Sequence, residues 1–308
     1  MKRAVLIISI LLSINVLTAQ SLNYYNLEPF TVVDINFVGE VVIKQCAISN
    51  EVTIKSNDYK FIEHTHVVVS DGKLSVYMDK NSSLEKKDYI QMEIHLPRLE
   101  KLTLLGVGNV KVEKRNEPNL TVINAGVGEC TLQCLKIEGT LELHNKGAGD
   151  IKVSSPDPIR QQTLLINNSG AGDVSILGSH VSNSLIVNNM GAGDISVNLM
   201  SIPTEELILR SKSVGDIRIQ NVLAKRLELR NLGVGNLKMI NGKAEEMTLE
   251  SVGVGNVNLL MKVATAHITH GGVGNITATV TGTAYLTEKS ELGKVTIHGG
   301  GKVVEEKP

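Results

Sequence analysis

Gly147-Ala148-Gly149-Asp150-Ile151-Lys152-Val153 is the stretch that decides the fold, because near copies of it recur from about residue 100 to the end of the chain. With the first turn glycine as position 0, the motif G-[VA]-G-[DN/E]-[VILC] begins at Gly106, Gly126, Gly147, Gly170, Gly191, Gly233, Gly253 and Gly272. Degenerate copies begin at Ser213 (SVGDI) and Glu291 (ELGKV). The gaps run 20, 21, 23, 21, 22, 20, 20, 19 and 19 residues, a period too short for helix-pair repeats and suited to one coil of stacked strands.

Working outward from the turn, positions +4 and +6 are apolar in every copy, from Val110/Val112 through Ile151/Val153 to Val295/Ile297. Positions −6 and −4 are apolar in the internal copies, from Leu120/Val122 to Ala266/Ile268. Apolar residues two apart in short runs rich in Val and Ile are strands with one buried face. Each coil therefore supplies at least one strand on either side of its turn, and stacked coils share one dry interior.

Position −2 has the same inward parity yet reads Asn124, Asn145, Asn168, Asn189, Ser211, Asn231, Ser251 and His270. A buried amide is costly unless hydrogen bonded. Stacked one strand spacing apart, ~4.8 Å, these amides are expected to bond one another in a ladder, as in cross-β structures. The alternative is that they are ordinary exposed turn residues. Glycines at 0 and +2 are expected to supply positive φ, the Asp or Asn at +3 an Asx turn, and the Val, Ala or Leu at +1 a plug for the corner. The stacked Asp150, Asp173, Asp194 and Asp216 offer a cation site as the alternative to turn geometry. The column changes to Asn at 236, 256 and 275 with no change of frame, which favours geometry, and no cofactor or metal is expected.

Residues 1–19 have the form of a secretory leader: Lys2 and Arg3, an apolar segment from Ala4 to about Leu17, then Thr18-Ala19. The segment is shorter than the roughly 20 apolar residues that span a bilayer. The mature chain is thus expected to carry no transmembrane segment and to be exported to the periplasm, the outer cell surface or the medium. Without Lys2 and Arg3 there are 29 basic against 32 acidic residues and no basic block, which argues against nucleic acid as a partner. Aromatic residues are 3% with no Trp, poor material for sugar-stacking platforms. Three cysteines make no disulfide framework; Cys130 and Cys134 lie roughly 13 Å apart on a continuing strand and are expected to be small buried fillers.

Residues 20–98 lack the glycine register but keep the alternation, as in Ile90/Met92/Ile94/Leu96, with Asp71-Gly72 as a hairpin signal. They are expected to form a β-rich cap over a solenoid at 99–300, which leaves 301–308 as a tail. Residues 80–88 (KNSSLEKKD) are expected to be a solvated loop, and the variable connections between strands, the longest being 154–163 (SSPDPIRQQT), surface excursions.

The eight histidines are scattered, and no nucleophile, zinc or phosphate-loop motif is present. The outward +5 column carries Lys111, Lys152, Arg218 and Lys238, interrupted by Thr, Ser and Asn as on a solvated face. One outward column breaks pattern: position −5 is polar in most coils but reads Leu165, Ile186 and Ile208 in three successive ones. Such a strip marks a docking surface for another subunit or partner, unless the 154–163 connection covers it.

The GVGN and GAGD turns, the leader and the segment HLPRLEKLTLLGVGNV together resemble the auto-transporter adhesin, head GIN domain family, over about residues 30–298. The resemblance implies a right-handed single-stranded parallel β-helix of about ten coils, export in Bacteroidetes-type bacteria, no catalytic residues and a role in adhesion. After the coils no run of alternating ~10-residue strands follows that would build a membrane barrel. The expected function is a non-enzymatic adhesin-like binding or envelope scaffold protein with an unknown protein or cell-surface ligand and a homo-oligomer as one option. The alternative is a carbohydrate-active enzyme of polysaccharide-lyase type.

Overall fold

Apolar residues at −6, −4, +4 and +6 leave one side of every strand greasy, and winding the chain about an axis buries all of those sides against each other. A computed structural model describes residues 20–24, 26–79, 90–288 and 292–306. The leader at 1–19, the segment 80–88 and Glu291 lie outside the described residues. The chain forms a β-solenoid whose coils pair in parallel. Ile151 lies opposite Val174, Val174 opposite Ile195, and Ile195 opposite Ile217. From Val41 through Val110 and Cys130 to Ile276, this +4 column is no more than 1% exposed. Each fully buried Val or Ile contributes roughly 1.5–3 kcal/mol relative to exposure, so the column is a main source of stability.

The connections between strands are not the surface excursions expected from their length. They close each coil with a third strand face. Arg115–Glu117 pairs with Leu135–Ile137, Ile159 and Gln161 pair with Ser179 and Val181, and Ala224 pairs with Ala244. Ile159 and Val222 point inward, and register shifts between Ser154 and Ile159 absorb the extra residues of the longest connection. Length variation is thus taken up by bulges. This middle face also holds a buried ion pair: Arg115 Nη2 lies 2.7 Å from Glu117 Oε1, and that oxygen accepts the Leu99 backbone N–H at 2.9 Å. The pair braces the passage from the first residues into the repeats.

In the N-terminal part, β1 (Gln20–Tyr24), β2 (Val32–Asn36), β3 (Glu40–Gln45), β4 (Glu51–Ser56), α1 (Tyr59–Glu63), β5 (Thr65–Ser70), β6 (Lys73–Met78) and β7 (Ile90–Leu96) follow one another. The sheet does not break at residue 98. β2 pairs in parallel with Lys101–Leu104 and β3 with Asn109–Val112, while β6 and β7 lie against their other edges. Two coils of the solenoid therefore sit inside the segment expected to be only a cap. Antiparallel β4 on β7, β1 on β4 and β5 on β6 finish that end, and Phe61 and Ile62 of α1 are buried there. The β5–β6 hairpin turns on Asp71 and Gly72, both at positive φ.

The other end is finished less completely. The expected tail adds a further strand, Lys302–Glu305, on Ile276–Glu288. Val295 and Ile297 of the last coil are only partly buried, and Val303 is 47% exposed.

Candidate functional site

The glycines at position 0 are required by the coil before them and, contrary to expectation, not by positive φ. A Cβ at Gly126, Gly147, Gly170 or Gly191 would overlap the carbonyl oxygen of Gly106, Gly126, Gly147 or Gly170 respectively. Gly106 faces Phe37 in the same way, and Gly233, Gly253 and Gly272 face Ser213, Gly233 and Gly253. Of the turn glycines, only Gly255 and Gly274 at +2 have φ in the left-handed region.

The −2 column is buried, with Asn124, Asn145, Asn168 and Asn189 at 0% and Asn231 at 1% exposure, and it stacks in register. Its bonding differs from the expected ladder. Asn124 Nδ2 donates to Gly128 O at 2.9 Å, Asn189 to Gly193 O at 2.9 Å and Asn231 to Gly235 O at 3.3 Å, each within its own turn. Asn145 reaches Gly172 O of the next coil at 2.8 Å. One amide-to-amide rung exists, Asn168 to Asn189 at 3.2 Å. Asn168 also reaches Gly193 O at 3.3 Å, so every amide of the column donates to a turn carbonyl and the column mainly staples the corner.

The ladder lies instead at +3. Asp150 Oδ1 accepts the backbone N–H of Asp173 at 2.9 Å, and Asp173, Asp194 and Asp216 accept those of Asp194, Asp216 and Asn236 at 2.7 Å. Asn236, Asn256 and Asn275 continue it. These side chains bond the next coil, not their own turn. Only an acceptor oxygen is needed, which is why Asp and Asn interchange. Glu129 leaves the ladder: its carboxylate binds Lys152 and Thr131, which hold it below the usual glutamate range, while Glu129 holds the Lys152 ammonium above its usual value. Among the described residues, no group of three His, Cys, Asp or Glu could hold a metal ion.

Position +1 does not plug the corner. Val107, Val127, Val214, Val234, Val254, Val273 and Leu292 stand out at the tip of the turn, 43% to 70% exposed. Beside them at −1, Leu105, Met190, Leu232 and Val252 are 41% to 59% exposed. Parallel bridges link Val234 to Val254 and Val254 to Val273, and the tips of the other coils stand at the same corner, so together they form a ridge along one edge of the solenoid that is lowered to alanine at 148, 171 and 192. The signal was available: −1 and +1 share the odd, outward parity of −5, −3, +3 and +5.

Leu165, Ile186 and Ile208 stack in register on the outer side of the turn-preceding face, and all three are partly buried. Residues 159–161 belong to the adjoining middle face and pair there. Beside the strip, Asn188 Nδ2 donates to Asn167 Oδ1 at 2.8 Å, and Asn167 Nδ2 lies 3.2 Å from His144 Nδ1. Glu142 and Glu228 flank the strip along its column, with Arg210 and Arg230 on Glu228.

On the turn-following face, a groove of ≈ 510 Å³ is lined by Asp194, Asp216, Arg218 and Lys238, among others. Lys111 pairs with Glu113 at 2.8 Å, and Lys152 is taken by Glu129. The three cysteines are free. Cys130 is a buried filler whose thiol burial pushes up to about 12. Cys134 is partly exposed, unlike the expectation. Cys46 lies in the β3–β4 loop, where hydrogen bonds from the Ile48 backbone and from Ser49 bring its thiol down to about 7. In the cap, His64 Nδ1 and His66 Nε2 sit 3.0 and 2.8 Å from the two oxygens of Asp79 and keep its carboxyl below the usual range. No helix of the described residues is long and apolar enough to cross a membrane.

Among solved structures, the chain is similar to a protein of Bacteroides fragilis described as a putative adhesin, with 18% identity, 94% of this chain and 97% of that one covered, and a TM-score of 0.38. A protein of Parabacteroides distasonis described as a putative lipid binding protein matches at 12% identity, covering 93% and 96%, with a TM-score of 0.42. A putative adhesin of Parabacteroides merdae matches at 14% identity, covering 94% and 96%, with a TM-score of 0.41. No curated protein matches. The family model described as "Putative auto-transporter adhesin, head GIN domain" matches residues 29–201 and again residues 199–301. The repeated glycine corners are thus those of a known family, and the chain belongs to the auto-transporter adhesin, head GIN domain family.

Proposed function

We propose that the protein is an exported, non-enzymatic binding module of adhesin type that presents the outer faces of its solenoid to a protein or cell-surface ligand. The observation that carries this reading is the strip of Leu165, Ile186 and Ile208, three aliphatic side chains on an outer face where neighbouring coils place Glu142 and Glu228. An outward apolar surface framed by polar groups is the usual anatomy of a recognition patch. Membership of the adhesin family supports the same reading. The test is binding of the labelled protein to cells and surface extracts, with Ile186→Asp as the variant. Binding is expected to fall with the circular dichroism spectrum unchanged; equal binding by the variant would sink the reading. Protease accessibility on intact cells distinguishes surface display from a periplasmic scaffold.

The groove beside Asp194, Asp216, Arg218 and Lys238 favours a second reading, a carbohydrate-active enzyme of polysaccharide-lyase type. Against it, each of these carboxylates already brackets a backbone N–H of the next coil. Release of unsaturated product from uronic-acid polysaccharides, with and without calcium, decides between the two.

A further inference from the structure

We propose that the ridge at the glycine-turn tips is a self-association surface, on which two copies of the chain pack side by side, same end up, about a twofold axis parallel to the solenoid axis. This goes beyond the ligand-binding reading and does not depend on it, since the ridge and the strip of Ile186 are different surfaces.

The ridge extends from Val107 to Leu292, roughly 45 Å at ~4.8 Å per coil. It is two apolar side chains wide at Leu105, Met190, Leu232 and Val252 and one wide where −1 is Lys146, Ser169 or Lys212, so it exposes roughly 300 Å² of apolar surface, the size of patch that on a monomer is often functional. A convex edge of single side-chain tips is not a pocket for a small ligand. A second copy carries apolar tips at the same spacing over the same length, so rung can meet rung as stacked side chains do in paired sheets. The ridge alone supplies well under half of the ~800 Å² per partner that a stable interface buries, so its flanks must close as well.

The charges on the flanks fit one arrangement. On the turn-following side stand Asp150, Asp173, Asp194 and Asp216; the last three have no cationic partner among the described residues. In the turn-preceding row of the ridge itself, at −1 and at the same coil heights, stand Lys146 and Lys212, both exposed and likewise without an ion-pair partner among the described residues. A twofold parallel to the axis sets each flank against the opposite flank at equal height, which brings Asp150 toward the second copy's Lys146 and Asp216 toward its Lys212. The tips between these charges are Ala148, Ala171 and Ala192, small enough to let the flanks approach, whereas Val214, Val234, Val254 and Val273 supply apolar contact further along. An axis perpendicular to the solenoid would set acid against acid.

The experiment is sedimentation velocity of the purified chain over a concentration series, at low and high salt. A dimer that weakens with salt is expected. Val234→Asp combined with Val254→Asp, both at exposed tips, is expected to give monomer with an unchanged circular dichroism spectrum. Lys212→Gln and Asp216→Asn are each expected to weaken the dimer about tenfold, and the two together no more than either alone, because they remove the same contact. Asn keeps the backbone bracket at 216, as it does in the next coils, so folding is not at issue. A chain that stays monomeric throughout overturns the proposal, as does a dimer indifferent to the valine substitutions or one in which the two charge changes act independently. Flotation with phosphatidylglycerol vesicles is run in parallel. A monomer that floats, and loses this with the valine changes, assigns the ridge to a lipid surface and also overturns the proposal. Failure here leaves cell binding by the Ile186 face untouched.

Discussion

Asn124, Asn145, Asn168 and Asn189 at −2 and Asp150, Asp173, Asp194 and Asp216 at +3 lie on opposite sides of the same corner, and both columns direct side chains at backbone. The inner column is buried and carries no carboxylate, while the outer one is solvated and carries five in successive coils, from Glu129 to Asp216. The inner task is to donate to a buried glycine carbonyl, which an amide does and a carboxylate cannot, and a buried charge would add its desolvation. The outer task is to accept from an N–H, which either group performs in water. Position in the same turn therefore selects chemistry through solvent access and not through spacing.

Both columns depend on the close approach of backbone at the corner, and disturbing that has the largest expected effect. Gly147→Ala places a methyl group on the Gly126 carbonyl and is expected to cost about 3 kcal/mol or more, read as the loss of a cooperative urea transition at its wild-type midpoint. Next comes Asn124→Ala. Asn124 donates to Gly128 O and accepts from Gly126 N, whereas the Asn145 oxygen has no partner among the described residues. The expected losses are about 2–3 kcal/mol at 124 and nearer 1 at 145, from urea midpoints; equal losses would show that the staple to the turn is not what matters. A gain is expected at the far end of the inner column, where His270 is buried with neither ring nitrogen partnered among the described residues. His270→Asn supplies an amide of the kind that staples the other corners and is expected to raise stability by about 1 kcal/mol, seen as a higher Tm. The smallest effect belongs to the outer column. Asp194→Asn is expected to stay within about 0.5 kcal/mol and Asp194→Ala to cost about 1, since only the alanine removes the bracket on Asp216 N.

The architecture was legible because it is written ten times. Alternation at +4 and +6 fixed the interior, and the register of Ile151, Val174 and Ile195 follows from it. Three things were not legible for stated reasons. Residues such as Ile159 and Val222 build the third face without a constant spacing from the turn, so bulges erased their column. Arg115 and Glu117 read as a solvated connection because nothing in sequence says that Leu99 will close over them. The destinations of the side chains at −2 and +3 depend on which carbonyl or N–H of the stacked turns comes within hydrogen-bond reach, which parity cannot resolve. Of the candidate surface, the strip at Leu165, Ile186 and Ile208 was visible as an exception in its column. The ridge at Val107 to Leu292 is hidden in the sequence because an apolar residue beside a glycine reads as filling and not display.

The half-covered final coil has a consequence for how the chain comes apart. Val295 and Ile297 pair on one side only among the described residues, while Ile90, Met92 and Ile94 at the opposite end lie beneath β4 and are no more than 3% exposed. In a linear array each rung is held by the rung beside it, so losing the last makes the next one the last. Unzipping therefore starts near residue 305 and runs backward, and amide hydrogen exchange falls along a gradient from the C-terminus toward the braced, slow-exchanging first rungs.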